Sequence, residues 1–104
     1  MRVREFDPSH RGEAILFVKA DWCPHCKVAK PELEVAAMQV GRLPVFAVDS
    51  ERDKATIRKL NIDGYPTILY RSDRGRISKY VGPREGRRIA DWACGRSSAC
   101  LPRR

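Results

Sequence analysis

No apolar run in this sequence approaches the roughly 20 residues that cross a bilayer as a helix. The first apolar block, Ala14–Val18, is short and runs straight into polar residues, which excludes a helical membrane span. The N-terminus does not read as a secretory leader either. Met1-Arg2-Val3-Arg4-Glu5-Phe6 is basic enough, but Asp7-Pro8-Ser9-His10-Arg11 follows where an apolar stretch is required. The expected location is therefore cytoplasmic, with no membrane partner. Internal repeats and low-complexity tracts are absent, and 104 residues leave no room for two independent cores. Residues 1–104 read as one domain with a core over about 14–95 and a loosely held tail from Cys94 onward, basic over 96–104. A domain of this size can bury a hydrophobic centre without cross-links.

Nucleic-acid motifs are lacking too, although the formal net charge is +8, with 21 Lys and Arg against 13 Asp and Glu. The arginines are scattered over turns and helix faces. Solubility and an Arg-rich coding bias explain them better than an anionic partner such as nucleic acid.

What is present has the punctuation of an α/β chain. Val3–Phe6 can form a short first strand, and Asp7–Gly12 a linker or one helical turn. Ala14–Val18 is apolar without interruption, as in a strand covered on both faces. A helix should open at Cys23, with Val28, Leu33, Val35, Ala36 and Met38 on its apolar face. Pro31 should kink it and Gly41 should stop it. Leu43–Val48 reads as a second core strand, and Asp49 or Ser50 as the cap of a helix running to about Leu60. After the turn Asn61–Gly64, Thr67–Tyr70 and Arg76–Val81 form a hairpin closed by Ser72–Gly75. Gly82-Pro83 breaks the chain before a last helix, Arg84–Ala93, that buries Ile89, Trp92 and Ala93. The order β, α, β, α, β, β, α predicts a mixed central sheet of four to five strands flanked by helices on both faces.

Four cysteines fall in two pairs, Cys23/Cys26 and Cys94/Cys100. A Cys-x-x-Cys beside a βα pattern is a redox signature. If Cys23 opens a helix, unpaired N–H groups and the helix dipole stabilise its thiolate, the reactive species. Cys26, almost one turn on, would lie within disulfide reach, more enclosed and less accessible than Cys23. Cys23 would attack a client disulfide and Cys26 would resolve the mixed disulfide. Trp22 would shield the sulfur and offer an apolar contact to a client. His25, when protonated, favours the dithiol form, and Pro24 restricts the loop. Potentials of such centres span roughly −270 to −120 mV, and Pro24-His25 places this one toward the oxidising half. A structural disulfide over so short a loop adds little stability. A zinc site would have to recruit Cys94, Cys100 or His25 without the usual ligand gap. The expectation is no metal and no cofactor.

Joined to the residues downstream, this motif resembles the thioredoxin-fold family, and within it the catalytic domains of protein disulfide isomerases. The resemblance rests on Trp22-Cys23-Pro24-His25-Cys26-Lys27 with Pro31-Glu32 and Ala36-Ala37, on Gly64-Tyr65-Pro66-Thr67-Ile68, and on Tyr80–Glu85 ending in Ile89-Ala90-Asp91-Trp92. It implies that Pro66 is a cis-proline packed against the active-site cysteines. It also implies that the Tyr65 backbone pairs with an extended client. Arg84 matches an arginine that tunes the buried cysteine, and reads equally as a surface residue at a helix start.

Three departures stand out. Pro-His replaces the Gly-His of eukaryotic isomerases and the Gly-Pro of thioredoxins, and is familiar from oxidising bacterial Dsb-type proteins. Phe17 occupies the place of a buried acid that helps move the proton of the second cysteine. The region before Ala14 is too short for a full first helix. Cys94 and Cys100 could form a second disulfide, as a shuttle or a structural clasp, or Cys94 could be an ordinary core residue. His10 reads as a loop residue, and Asp49 and Asp63 as turn or cap residues. The leading expectation is an enzyme exchanging disulfides with protein or peptide clients and a redox recycling partner. The alternative is a client-binding, chaperone-like module without turnover.

Overall fold

The computed structural model describes residues 2–100. In chain order the elements are β1 (Arg4–Glu5), β2 (Ala14–Lys19), α1 (Pro24–Ala37), β3 (Val45–Asp49), α2 (Lys54–Leu60), β4 (Thr67–Arg71), β5 (Ile77–Lys79) and α3 (Gly86–Cys94). The five strands form one sheet in the order β1-β3-β2-β4-β5. β2 lies at its centre, parallel to β3 and antiparallel to β4. β1 adds parallel to β3, and β5 antiparallel to β4. This is the expected mixed sheet.

Side-chain alternation along β2 divides the core in two. Ile15 and Phe17 point to the face covered by α1 and α3, with Leu33, Ala36, Ile89 and Ala93. Ala14, Leu16 and Val18 point to the other face, with Phe46, Val48 and Leu69, where Ile57 and Leu60 of α2 lie. An uninterrupted apolar run is what a strand needs when both its faces are covered. Full burial of each large side chain contributes roughly 1.5–3 kcal/mol.

Several elements differ from expectation. The face of α1 that packs inward is Cys26, Ala29, Leu33, Ala36 and Ala37, whereas Val28 and Met38 are 74% and 73% exposed. Small alanines are prominent on the buried face, and α1 and α3 approach closely. As expected, α1 spans Pro31 without ending there. The exposed proline omits a donor at the solvent surface, where water can replace it. α2 starts later than expected because the Asp49 carboxylate caps a turn instead of the helix. It accepts from the Glu51 and Arg52 N–H groups at 2.8 and 3.1 Å, and Asp53 becomes the helix N-cap. α3 begins at Gly86, since Glu85 is still extended. Trp92 is half-buried, its ring lying between Tyr80 and the Arg96 guanidinium at 5.2 and 4.9 Å. β1 spans two residues, and among the described residues no helix precedes α1.

The segment after α3 is not loosely held. Cys94 and Cys100 are joined by a disulfide with Cα atoms 5.4 Å apart, and the Ala99 carbonyl accepts the Arg42 N–H at 3.0 Å. Residues 101–104, the rest of the expected tail, lie outside the described residues. No helix is long and apolar enough to cross a membrane among the described residues.

Candidate active site

β2 ends at Lys19, and the chain turns over Ala20–Trp22 to deliver Cys23 to the start of α1. Cys23 is the N-cap, with extended backbone (φ −89°, ψ 111°) and Pro24 in the first turn. Proline suits that position because its missing N–H is one the helix would leave unpaired. The Cys23 Sγ accepts the Cys26 N–H at 3.2 Å, so the sulfur occupies the place a serine or aspartate oxygen takes in an ordinary cap. Cys23 and Cys26 are both free thiols.

The expected difference in exposure between the two sulfurs is not found: Cys23 and Cys26 are each 3% exposed. The cap conformation folds the Cys23 side chain back over the first turn, and both cysteines join the core cluster of Ala20, Ala29 and Ile68. The asymmetry lies in their hydrogen bonding and in the Cys26 thiol. Burial first, and then the hydrogen bond to Cys23, push that thiol up to about 11, while Arg84 acts weakly in the opposite sense.

Trp22 stands over the site, 69% exposed, with its ring edge-on to Tyr65 at 5.9 Å. His25 and Lys27 are exposed on the first turn. The Tyr65–Pro66 peptide bond is cis, and the Thr67 hydroxyl donates to the Gly64 carbonyl at 2.7 Å. Asp63, Tyr65, Pro66, Tyr80 and Arg84 line a groove of about 400 Å³. Sequence distance separates Trp22, Cys23, Cys26, Tyr65, Pro66 and Arg84, and the fold collects them at one end of the sheet. Cys94 and Cys100 are not part of that cluster.

Sequence reasoning missed a second cleft, of about 370 Å³, in which Cys26 forms part of the wall with Phe17, Lys19, Asp21, Lys27 and Lys30. Its lysines and aspartate come from the end of β2, the turn after it and the first turns of α1, with Ala47 of β3 and Arg52 completing the wall. Lys19 is committed there to Asp21 and Asp49, at 2.7 and 2.8 Å. Phe17 is 2% exposed and lies opposite Ala47 in the β2–β3 register, so no acid is buried beneath Cys26 on these strands. Among the described residues no group of three His, Cys, Asp or Glu side chains could hold a metal ion.

The thioredoxin family model matches residues 6–94. Protein disulfide-isomerase 1 of Caenorhabditis elegans is 34% identical over 93 residues, covering 84% of this chain and 19% of its own length. A protein disulfide-isomerase of Zea mays is 38% identical over 99 residues, covering 86% of this chain and 19% of its own. The chain thus spans about a fifth of these curated relatives. Among solved structures, the J-Trx1 fragment of ERdj5 superposes with a TM-score of 0.79 at 19% identity, over 89% of this chain and 50% of that one. The first thioredoxin domain of mouse Protein disulfide-isomerase A4 gives 0.72 at 26% identity, over 90% and 67%. The sheet order, the cysteine-capped helix and the match over residues 6–94 lead to one conclusion: this chain belongs to the thioredoxin family.

Proposed function

We propose that the protein exchanges disulfides with protein or peptide clients through Cys23 and Cys26. The observation that carries the reading is the Cys23 sulfur in the N-cap position, 3.2 Å from the Cys26 N–H. A negative sulfur there is stabilised by the helix terminus and by that donor.

The Cys23 thiolate attacks one sulfur of a client disulfide. The client S–S bond breaks, the other client sulfur leaves as a thiolate and takes up a proton, and Cys23 is left in a mixed disulfide. Cys26 then gives up its proton and attacks the Cys23 sulfur, releasing the second client thiolate. The client gains two electrons, and the Cys23–Cys26 pair becomes the disulfide. Run in reverse, the same steps oxidise a dithiol client. A recycling partner, a dithiol or a disulfide according to direction, restores the starting form. The exposed His25, when protonated, favours the dithiol form and so the oxidising direction, and Pro24 restricts the loop. The Tyr65 backbone beside Pro66 offers an edge to an extended client, and Trp22 an apolar contact. Arg84 is close enough to Cys26 to favour its thiolate.

Cys23→Ser should reduce insulin-disulfide reduction to the uncatalysed background, and Cys26→Ser should accumulate client mixed disulfides visible by mass spectrometry. Full activity in both variants sinks the proposal. Client capture that survives removal of both thiols supports a binding module instead. Equilibration of Cys23/Cys26 with a glutathione buffer measures the direction. A potential near thioredoxin's value of about −270 mV overturns the oxidising assignment.

A further inference from the structure

We propose that Cys94–Cys100 is a second disulfide with a purely structural purpose. It clasps the end of the chain into the core, takes no part in exchange with clients, and ties the protein to an oxidising compartment.

Position is the first argument. Cys23 and Cys26 sit at the N-terminal end of α1, whereas the segment closed by Cys94–Cys100 packs on the loop after its C-terminal end. α1 has 14 residues and is therefore about 20 Å long. Disulfide exchange needs sulfurs in contact, so the two pairs cannot pass electrons within one molecule.

Packing is the second. Cys100 is 5% exposed and belongs to the same core cluster as Val40 and Leu43. The segment lies so close to Gly41 that a Cβ there would come within 3.2 Å of the Ala99 oxygen and the Cys100 carbonyl carbon. Gly41 itself has a φ of 60°. The neighbouring polar groups are satisfied across the same seam: Ser98 Oγ donates to Glu13 at 3.0 Å, and Tyr70 donates to the other Glu13 oxygen at 2.7 Å. A bond that closes so short a loop removes little entropy from the unfolded chain. Its effect is local: it holds Cys100 inside and keeps residues 95–100 over the end of the sheet.

Formation transfers two electrons and two protons from the Cys94 and Cys100 thiols to a disulfide donor of the oxidised-glutathione class, which leaves as two thiols. Such bonds persist where thiols are not kept reduced. The compartment proposed here is therefore not the cytoplasmic one expected from the N-terminal residues.

The experiment titrates the folded wild-type chain in glutathione buffers of graded potential, alkylates the free thiols and maps them by mass spectrometry. The expected result is that Cys23 and Cys26 become labelled at potentials where Cys94 and Cys100 remain joined. Labelling of all four cysteines in one transition, or free Cys94 and Cys100 in the oxidised protein, overturns the proposal. In the variant Cys94→Ala/Cys100→Ala, proteolysis after Arg96 should become at least tenfold faster while the Cys23/Cys26 potential stays unchanged. Unchanged proteolysis removes the clasp, and a shifted potential removes the independence of the two pairs. If Cys23 and Cys26 prove inactive toward clients while Cys94–Cys100 resists reduction, the proposed exchange activity fails and the clasp stands.

Discussion

Cys26 must lose a proton before it can attack, and burial, reinforced by the neighbouring Cys23, pushes its thiol up to about 11. Burial acts on Cys26 in the mixed disulfide as well, so resolution of a Cys23–glutathione mixed disulfide, followed by stopped-flow, should accelerate steadily as pH rises from about 6 to about 9. Phe17 shares a wall with Cys26, so Phe17→Glu should raise the rate at pH 7 and flatten the profile. A flat wild-type profile would show a base acting on Cys26 and would remove the argument. The identities of Cys23, Cys26, Tyr65 and Pro66 were legible because each lies in a short contiguous motif. The enclosure of Cys23 was not, since it depends on Ala20, Ile68 and Tyr65 meeting from separate elements. Nor did the five-residue gap between Cys94 and Cys100 settle their pairing, which follows from how residues 99–100 fold back against Gly41.

Among the helices, the contact of α1 with α3 is the most tightly specified. A Cβ on Gly86 would sit 2.6 Å from the Glu32 carbonyl oxygen and 2.6 Å from the Val35 Cβ, closer than atoms pack. The Gly86 N–H also donates to Glu32 Oε1 at 2.7 Å, so glycine both permits the approach and anchors it. Gly86→Ala should cost about 2–3 kcal/mol in urea unfolding, with the thiol chemistry kept in the folded fraction. An alanine variant as stable as the parent would mean that α3 moves freely over α1. Helical spacing alone favoured Val28 and Met38 for the buried face of α1. The buried face uses Ala29, Ala36 and Ala37 instead, and the close approach of α3 to α1 selects for size before hydrophobicity. The strands were easier to read: Ala14–Val18 and Thr67–Tyr70 are fully buried runs, and such runs have few other uses in so short a chain.

On the scale of the molecule, one ion network ties three strands to the start of α2. Lys19 of β2 pairs with Asp49 of β3 at 2.8 Å, and Arg52 bridges Glu5 of β1 and Asp53, the α2 cap, at 3.3 and 2.6 Å. The hydrogen bond from Lys19, with those from the Arg52 and Glu51 N–H groups, holds the Asp49 carboxyl down to about 2 against an ordinary 3.8. A depressed carboxyl stabilises the fold fully above its unfolded value, and that stability is lost as pH falls through the folded one. Asp49→Asn should therefore cost about 2 kcal/mol at pH 7. The two proteins should converge in stability as denaturation is measured from pH 4 down to pH 2. A gap that stays constant over that range would assign the loss to geometry instead of charge.

The margins of the sheet have a consequence for life in a crowded solution. On one side the outermost strand is Arg4–Glu5, two charged and exposed residues. On the other it is Ile77–Lys79, three residues ending in a lysine. Neither rim gives an incoming copy enough ladder to propagate on, and both oppose it with charge. Molecules of this kind can be packed at high density or strung in tandem without templating one another into fibrils.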